Sequence, residues 1–183
     1  LVLGNTTGKI IKQLKKFGFS ERQVNLIFDK YGIKTLTTIA KNPYRISMDL
    51  FDSGISFKAV DQIAQRFYSV AINDSRRISG AILYALKILI VSQGGTFVQR
   101  DILLAFASRL LDYQIDPSAI NEQLLKMNKD GTIEIENSDH IYESSFYDAE
   151  WKISQKLFEL LKQNQNEDAP STDDIKNAIR DVE

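Results

Sequence analysis

The 183-residue sequence contains no cysteine, which excludes disulfides and thiolate-bound metals. A reducing, cytoplasmic compartment is the expected setting. The one histidine, His140, lies in an acidic stretch with Glu134, Glu136, Asp139 and Glu143 and reads as a surface residue. A zinc site is therefore not expected. No apolar run approaches the length of a membrane span. The N-terminal LVLGNTTGKI lacks the charged-then-apolar layout of a signal peptide. It also lacks an initiating methionine, so the chain is expected to be a piece of a longer protein. Gly94-Gly95-Thr96 has no lysine of the kind a nucleotide-phosphate loop requires. The carboxylates form no spaced motif with a partner base. No catalytic residue, metal, cofactor or small-molecule substrate is expected for this segment.

What is present is an ordinary globular composition, 43% apolar and 26% charged. The formal net charge of −1 hides an asymmetry. Residues 1–100 carry 15 lysines and arginines against 6 carboxylates, or +9, and residues 101–183 carry 8 against 18, or −10. One reading is that the basic half meets an anionic partner. The other is that the halves attract one another or a neighbouring domain.

Two stretches repeat one plan. FGFSERQVNLIFDKY and SGISFKAVDQIAQRFY align on Gly18 and Gly54, an offset of 36 residues. The copies match at Ser20/Ser56, Arg22/Lys58, Val24/Val60, Ile27/Ile63 and Tyr31/Phe67. Apolar, glycine, apolar, small, then a cation on a helix is the signature of a helix–hairpin–helix. The glycine permits a positive φ at a tight turn. Backbone N–H groups at the following helix N-terminus then favour an anion. Phe19 or Ile55 pins the turn to the core, and Arg22 or Lys58 adds charge for a phosphate oxygen. The expected DNA-contacting set is Gly18, Phe19, Ser20, Arg22, Gly54, Ile55, Ser56 and Lys58, joined by Lys12 and Lys16. The alternative is that the turns only connect core helices.

The chain divides as follows. Residues 1–7 read as a loop, and Gly8 to Phe17 as a helix with Ile10, Ile11, Leu14 and Phe17 at helical spacing. Its other side carries Lys9, Lys12, Lys15 and Lys16, either a phosphate-facing row or a solvated face. Ser20 caps a helix to Tyr31, and Gly32 follows it. Thr35–Lys41 is a short helix stopped by Asn42-Pro43. A helical turn around Met48–Phe51 leads to the second hairpin. Residues 8–70 thus form a tandem helix–hairpin–helix domain. Residues 77–92 are apolar nearly all round and mark a buried central helix. A strand at 96–98 and a helix at 99–111 with Ile102, Leu103, Phe106 and Leu110 come next. The following helix starts at Asp116-Pro117 and buries Ile120, Leu124 and Leu125. A β-hairpin turns at Asn137-Ser138. That order over residues 75–145 is winged-helix-like. Its recognition helix has only Lys126 and Lys129, opposed by Glu122 and Asp130, and its hairpin is acidic. A scaffold is expected there, and a DNA-reading transcription regulator is not. Phe146–Lys162 is a connecting helix, assigned to 146–163. It carries Ile153, Leu157, Leu160 and Leu161, with Trp151 and Phe158 as a second stripe; one wide core face is expected, and the alternative is two stripes that pack against two bodies. Residues 164–183 hold a linker, within QNQNEDAP, and a helix start capped by Ser171 or Thr172.

Taken together, FGFSERQVNLIFDKYG, NPYRI, GISFKAVDQIAQRF, NDSRRISGAILYAL and the block ending HIYESSFYDAEWKI resemble the N-terminal region of RecD2-like (RecD/TraA-type) ATP-dependent DNA helicases. The likeness covers residues 9–163, and 171–180 looks like the lead-in to the first motor domain. The resemblance implies a mainly α accessory segment of a 5′-to-3′ helicase, usually filed as an exodeoxyribonuclease V alpha subunit. Its partners would be the DNA phosphate backbone and the motor domains of the same chain. ATP and magnesium would belong to the motor, beyond Glu183. An interaction scaffold without DNA affinity of its own is the alternative. Two positions depart from the family pattern. Ser56 stands where the family commonly has glycine, and Ile175 where it has an adenine-sensing glutamine.

Overall fold

The computed structural model describes residues 2–166. The chain divides into two units at Ser144. In the first, α1 (Val2–Lys16) and α2 (Glu21–Tyr31) are followed by a 3-10 turn at Gly32–Lys34, α3 (Thr35–Lys41) and α4 (Arg45–Asp49). A 3-10 turn at Phe51–Ser53 leads into α5 (Phe57–Tyr68). Then come α6 (Ser75–Gln93), β1 (Phe97–Gln99), α7 (Arg100–Leu110), α8 (Pro117–Lys129), β2 (Ile133–Glu136) and β3 (His140–Glu143). The fold is mainly helical with one small antiparallel sheet in the order β1-β3-β2. Val98 pairs with Ile141, and Ile141 with Ile135, so the buried residues share one face. The strand expected at 96–98 is β1, and it joins the expected β2–β3 hairpin as a third strand. Asn137 and Ser138 both take positive φ at its turn, a conformation that asparagine tolerates.

The core is organised on α6. It packs against α4, α5, α7 and α8 and against β1 and β3. Ile78, Ala81, Ile82, Ala85, Leu86, Leu89 and Ile90 are all buried along it. Buried residues occupy more than one flank of α6, as its nearly all-round apolar sequence requires. The Asn-Pro-Tyr-Arg turn sits on this helix. Tyr44 is buried, stacks on Phe57 at a centroid distance of 5.4 Å and lies against Gly80. Its hydroxyl donates to Asp61 at 2.6 Å.

Several expectations need correction. Residues 2–7 are not a loop: α1 starts at Val2 and runs through Gly8. An interior glycine costs a helix only about 1 kcal/mol, so Gly8 does not force a boundary. The turn around Met48–Phe51 is α4 plus a separate 3-10 turn. On α8 the buried stripe is Ile120, Leu124 and Met127, and Leu125 is 47% exposed. A residue next to a stripe member sits about 100° round the helix, which takes Leu125 off that face. Ile102 is likewise exposed, whereas Leu103 and Ala107 are buried. In the second unit, α9 (Ser144–Asn166) starts before Phe146 and continues past residue 163. Trp151, Ile153, Leu157, Phe158, Leu160 and Leu161 are exposed along it, so the single core face expected of that helix is not formed among the described residues. The remainder of the expected linker, Ser171, Thr172 and Ile175 lie outside the described residues. Among the described residues no helix is long and apolar enough to cross a membrane.

Burial raises the phenol pKa of Tyr44, and the hydrogen bond to Asp61 adds to it. Tyr31 is raised in the same way, first by burial and then by its hydrogen bond to Asp49. An unfolded tyrosine titrates near pH 10. The stabilising difference is therefore fully present below about pH 10 and is lost as pH rises above it. Urea midpoints are expected to fall between pH 10 and 11.5, and less steeply in Tyr44→Phe. Equal slopes in the two proteins would count against this assignment.

Candidate functional site

The repeat in the sequence survives as a repeat in burial. Val24 and Val60, and Ile27 and Ile63, are buried at equivalent places on α2 and α5. Phe19 and Ile55 are buried beneath their turns, while Gly18 and Gly54 above them are exposed. Both glycines take positive φ, 94° and 77°, with open space where a Cβ would stand. Both following serines are N-caps. Ser20 forms a capping box with Gln23, and the Ser56 hydroxyl accepts from Ala59 N at 3.2 Å. Each such cap stabilises its helix by about 1 kcal/mol. Ser56 therefore serves as a cap at the position where the family commonly has glycine.

The two turns differ in their amides. At the first, Gly18 N donates to the Lys15 carbonyl at 3.0 Å and Phe19 N to Leu14 O at 3.3 Å. Ser20 N donates to Gln23 Oε1 at 3.0 Å. These groups are spent on closing α1 and opening α2. Glu21 also places a carboxylate in the first turn of α2. At the second turn, the amides of Gly54, Ile55 and Ser56 find no acceptor among the described residues. The first turn of α5 carries no acid. By helix-terminus electrostatics the second turn is the better placed of the two to face an anion.

The cations are distributed unevenly. Lys12, Lys16 and Arg22 are exposed. Lys58 is exposed as well, but its ammonium donates to Asp112 at 3.1 Å, in the bend after α7. With both side chains more than half exposed, this pair adds little to stability. It does place a carboxylate beside the expected phosphate cation.

A groove of about 310 Å³ lies where the two turns meet. It brings together Gly18, Phe19 and Ile55 from the expected set, along with Gln23, Gln62 and Arg66. Gly54, Ser20, Ser56, Arg22, Lys58, Lys12 and Lys16 do not line it. Arg66 is the cation that the sequence reading missed. Its guanidinium lies 5.2 Å from the Phe67 ring centroid, and Phe67 packs on Phe17 at 4.8 Å. A signal for it was present: under the 36-residue offset Arg66 aligns with Lys30, so both copies carry a basic residue close to their C-terminal end.

Two glycine-cornered turns related by an internal repeat, each capping a helix that buries the same apolar positions, define a tandem helix–hairpin–helix protein. The model of one family, the HHH domain of the ATP-dependent RecD2 DNA helicase, matches residues 5–97. The chain belongs to that family. The matched stretch includes both turns and all of α6, the helix on which α4 and α5 pack.

Proposed function

We propose that this chain is a non-catalytic accessory segment of an ATP-dependent 5′-to-3′ DNA helicase that holds the DNA phosphate backbone without reading sequence. The observation that carries the reading is the Gly54 turn. Three amides there lack acceptors, the adjoining helix start has no acid, and Lys58 is one turn away. Phosphates carry no base information, so such binding is indifferent to sequence. ATP and magnesium belong to the motor domains of the helicase, and the setting is cytoplasmic. Residues 8–70 act as the helix–hairpin–helix domain and 75–145 as a winged-helix-like scaffold. The acids Glu134, Glu136, Asp139 and Glu143 suit that second block to docking against the motor and unsuit it to DNA.

Fluorescence anisotropy with a short oligonucleotide at low and moderate salt tests this reading. Lys58→Glu is expected to weaken binding roughly three- to tenfold and to reduce the salt slope by about 1. Asp112→Asn frees Lys58 from its competing carboxylate and is expected to tighten binding. No binding at low salt, or indifference to Lys58→Glu, would leave the alternative of an interaction scaffold. The occupied amides at Gly18 and the Lys58–Asp112 pair are the features that favour that alternative.

A further inference from the structure

The Asn-Pro-Tyr-Arg segment has an outer side as well as the inner one that Tyr44 fills. There a groove of about 340 Å³ is bounded by Lys34, Thr37, Thr38, Lys41, Asn42 and Arg45. Three of those six residues are cations and none is a carboxylate. Lys34 and Lys41 are exposed, and among the described residues neither ammonium has a hydrogen bond or ion pair. In this they differ from Lys58.

Three of the backbone acceptors along the wall are already taken. Thr37 Oγ1 donates to Lys34 O at 2.8 Å, Asn42 N to Thr38 O at 3.0 Å, and Arg76 Nη1 to Lys41 O at 3.1 Å. At the end of α3 this occupies the Thr38 and Lys41 carbonyls, acceptors of the kind that repel an anion. Asn42 Oδ1 accepts from Tyr44 N at 3.1 Å, which leaves the side-chain NH₂ of Asn42 to donate elsewhere. Asp74, which holds Arg76, does not line the groove, and neither does Asp49. Asp49 accepts from Arg45 at 3.2 Å and from the Tyr31 hydroxyl at 2.9 Å. What the groove has left to offer is donors and positive charge.

We infer that this groove is a second anion site, which takes a backbone phosphate of a bound nucleic-acid strand. The inference rests on the DNA-binding reading and extends it to a separate surface. No aromatic side chain lines the groove, so it has no platform for a base. The ligand class is the phosphodiester, and the contact is sequence-independent.

The test is the salt dependence of single-stranded oligonucleotide binding by the full chain. Lys34→Gln and Lys41→Gln are compared with Lys58→Gln, and with Lys126→Gln as a remote control. Arg45 is left in place because it holds Asp49. Each groove variant is expected to reduce the slope of log K against log salt by about 0.7, the single-strand value for one neutralised phosphate. Affinity at low salt should fall roughly threefold, and Lys126→Gln should match the unmodified chain. If Lys58→Gln lowers the slope and both groove variants leave it unchanged, the groove inference is overturned and the Gly54 reading stands. If the groove variants lower it and Lys58→Gln does not, the groove stands and the Gly54 reading fails. No binding by the unmodified chain at low salt removes both.

Discussion

Replacing Arg77 with methionine is expected to destabilise the first unit by about 3–5 kcal/mol, the cost of leaving a buried charge without its partner. Arg77 is 1% exposed and Asp61 is 6% exposed. The Arg77 Nε donates to both oxygens of Asp61, at 2.9 and 3.1 Å, and Nη2 donates to Oδ2 at 3.0 Å. The same guanidinium reaches the Ile72 carbonyl at 3.0 Å and Gln114 Oε1 at 3.2 Å. Asp61 accepts in addition from Tyr44 and from Gln65. One side chain thus joins α5, the loop before α6 and the bend before α8. Every buried side-chain polar atom among the described residues is paired, and removing Arg77 would undo that. The double change Arg77→Met with Asp61→Leu should recover part of the loss, because it removes the orphaned carboxylate along with its partner. Urea unfolding of the three proteins measures this. A single variant within about 1 kcal/mol of the unmodified chain, well below the cost of an orphaned buried charge, would show that the pair is not holding the unit together.

The second large effect is expected from the mildest of substitutions. Gly80→Ala, inside α6, should destabilise by about 1–3 kcal/mol. Helix propensity alone predicts the opposite, a gain of about 1 kcal/mol. The sign is decided by space. A Cβ at Gly80 would stand 2.7 Å from Tyr44 Cβ and 2.9 Å from its Cγ. Those atoms lie at the root of a buried side chain that is stacked on Phe57 and hydrogen-bonded to Asp61, so they have little room to move. Gly8→Ala in α1 is the matched control. Nothing lies within 4 Å of a Cβ there, so that change should stabilise or be neutral. Thermal melts of the two variants should move in opposite directions, and a Gly80→Ala protein at least as stable as the unmodified chain would refute the steric argument.

The two glycines show what a sequence gives away and what it withholds. Gly18 and Gly54 were legible as turn residues because a tight turn before a capped helix needs a positive φ, and both have one. Their serine caps and the buried Val24/Val60 and Ile27/Ile63 pairs were legible for the same reason: each depends on neighbours within a few residues. The difference between the turns was not legible. The first spends its amides on Leu14, Lys15 and Gln23, and the second keeps them. Nor could the sequence show that Lys58 would meet Asp112, 54 residues on, or that Arg77 would be drawn out of the surface charge altogether.

The sequence by itself determined the helices, the tandem repeat, the central apolar helix, the hairpin and the family to which the chain belongs. Those features are written in periodicity and in local backbone demands, which act over a turn or two of chain. The tertiary structure alone decided which cations stay free, which turn keeps its amides unbonded, why Gly80 admits no side chain, and that Lys34, Lys41 and Arg45 border one groove. Those outcomes depend on how separate elements cross one another, and a single side-chain pairing between distant segments is too small a signal to appear in the order of residues.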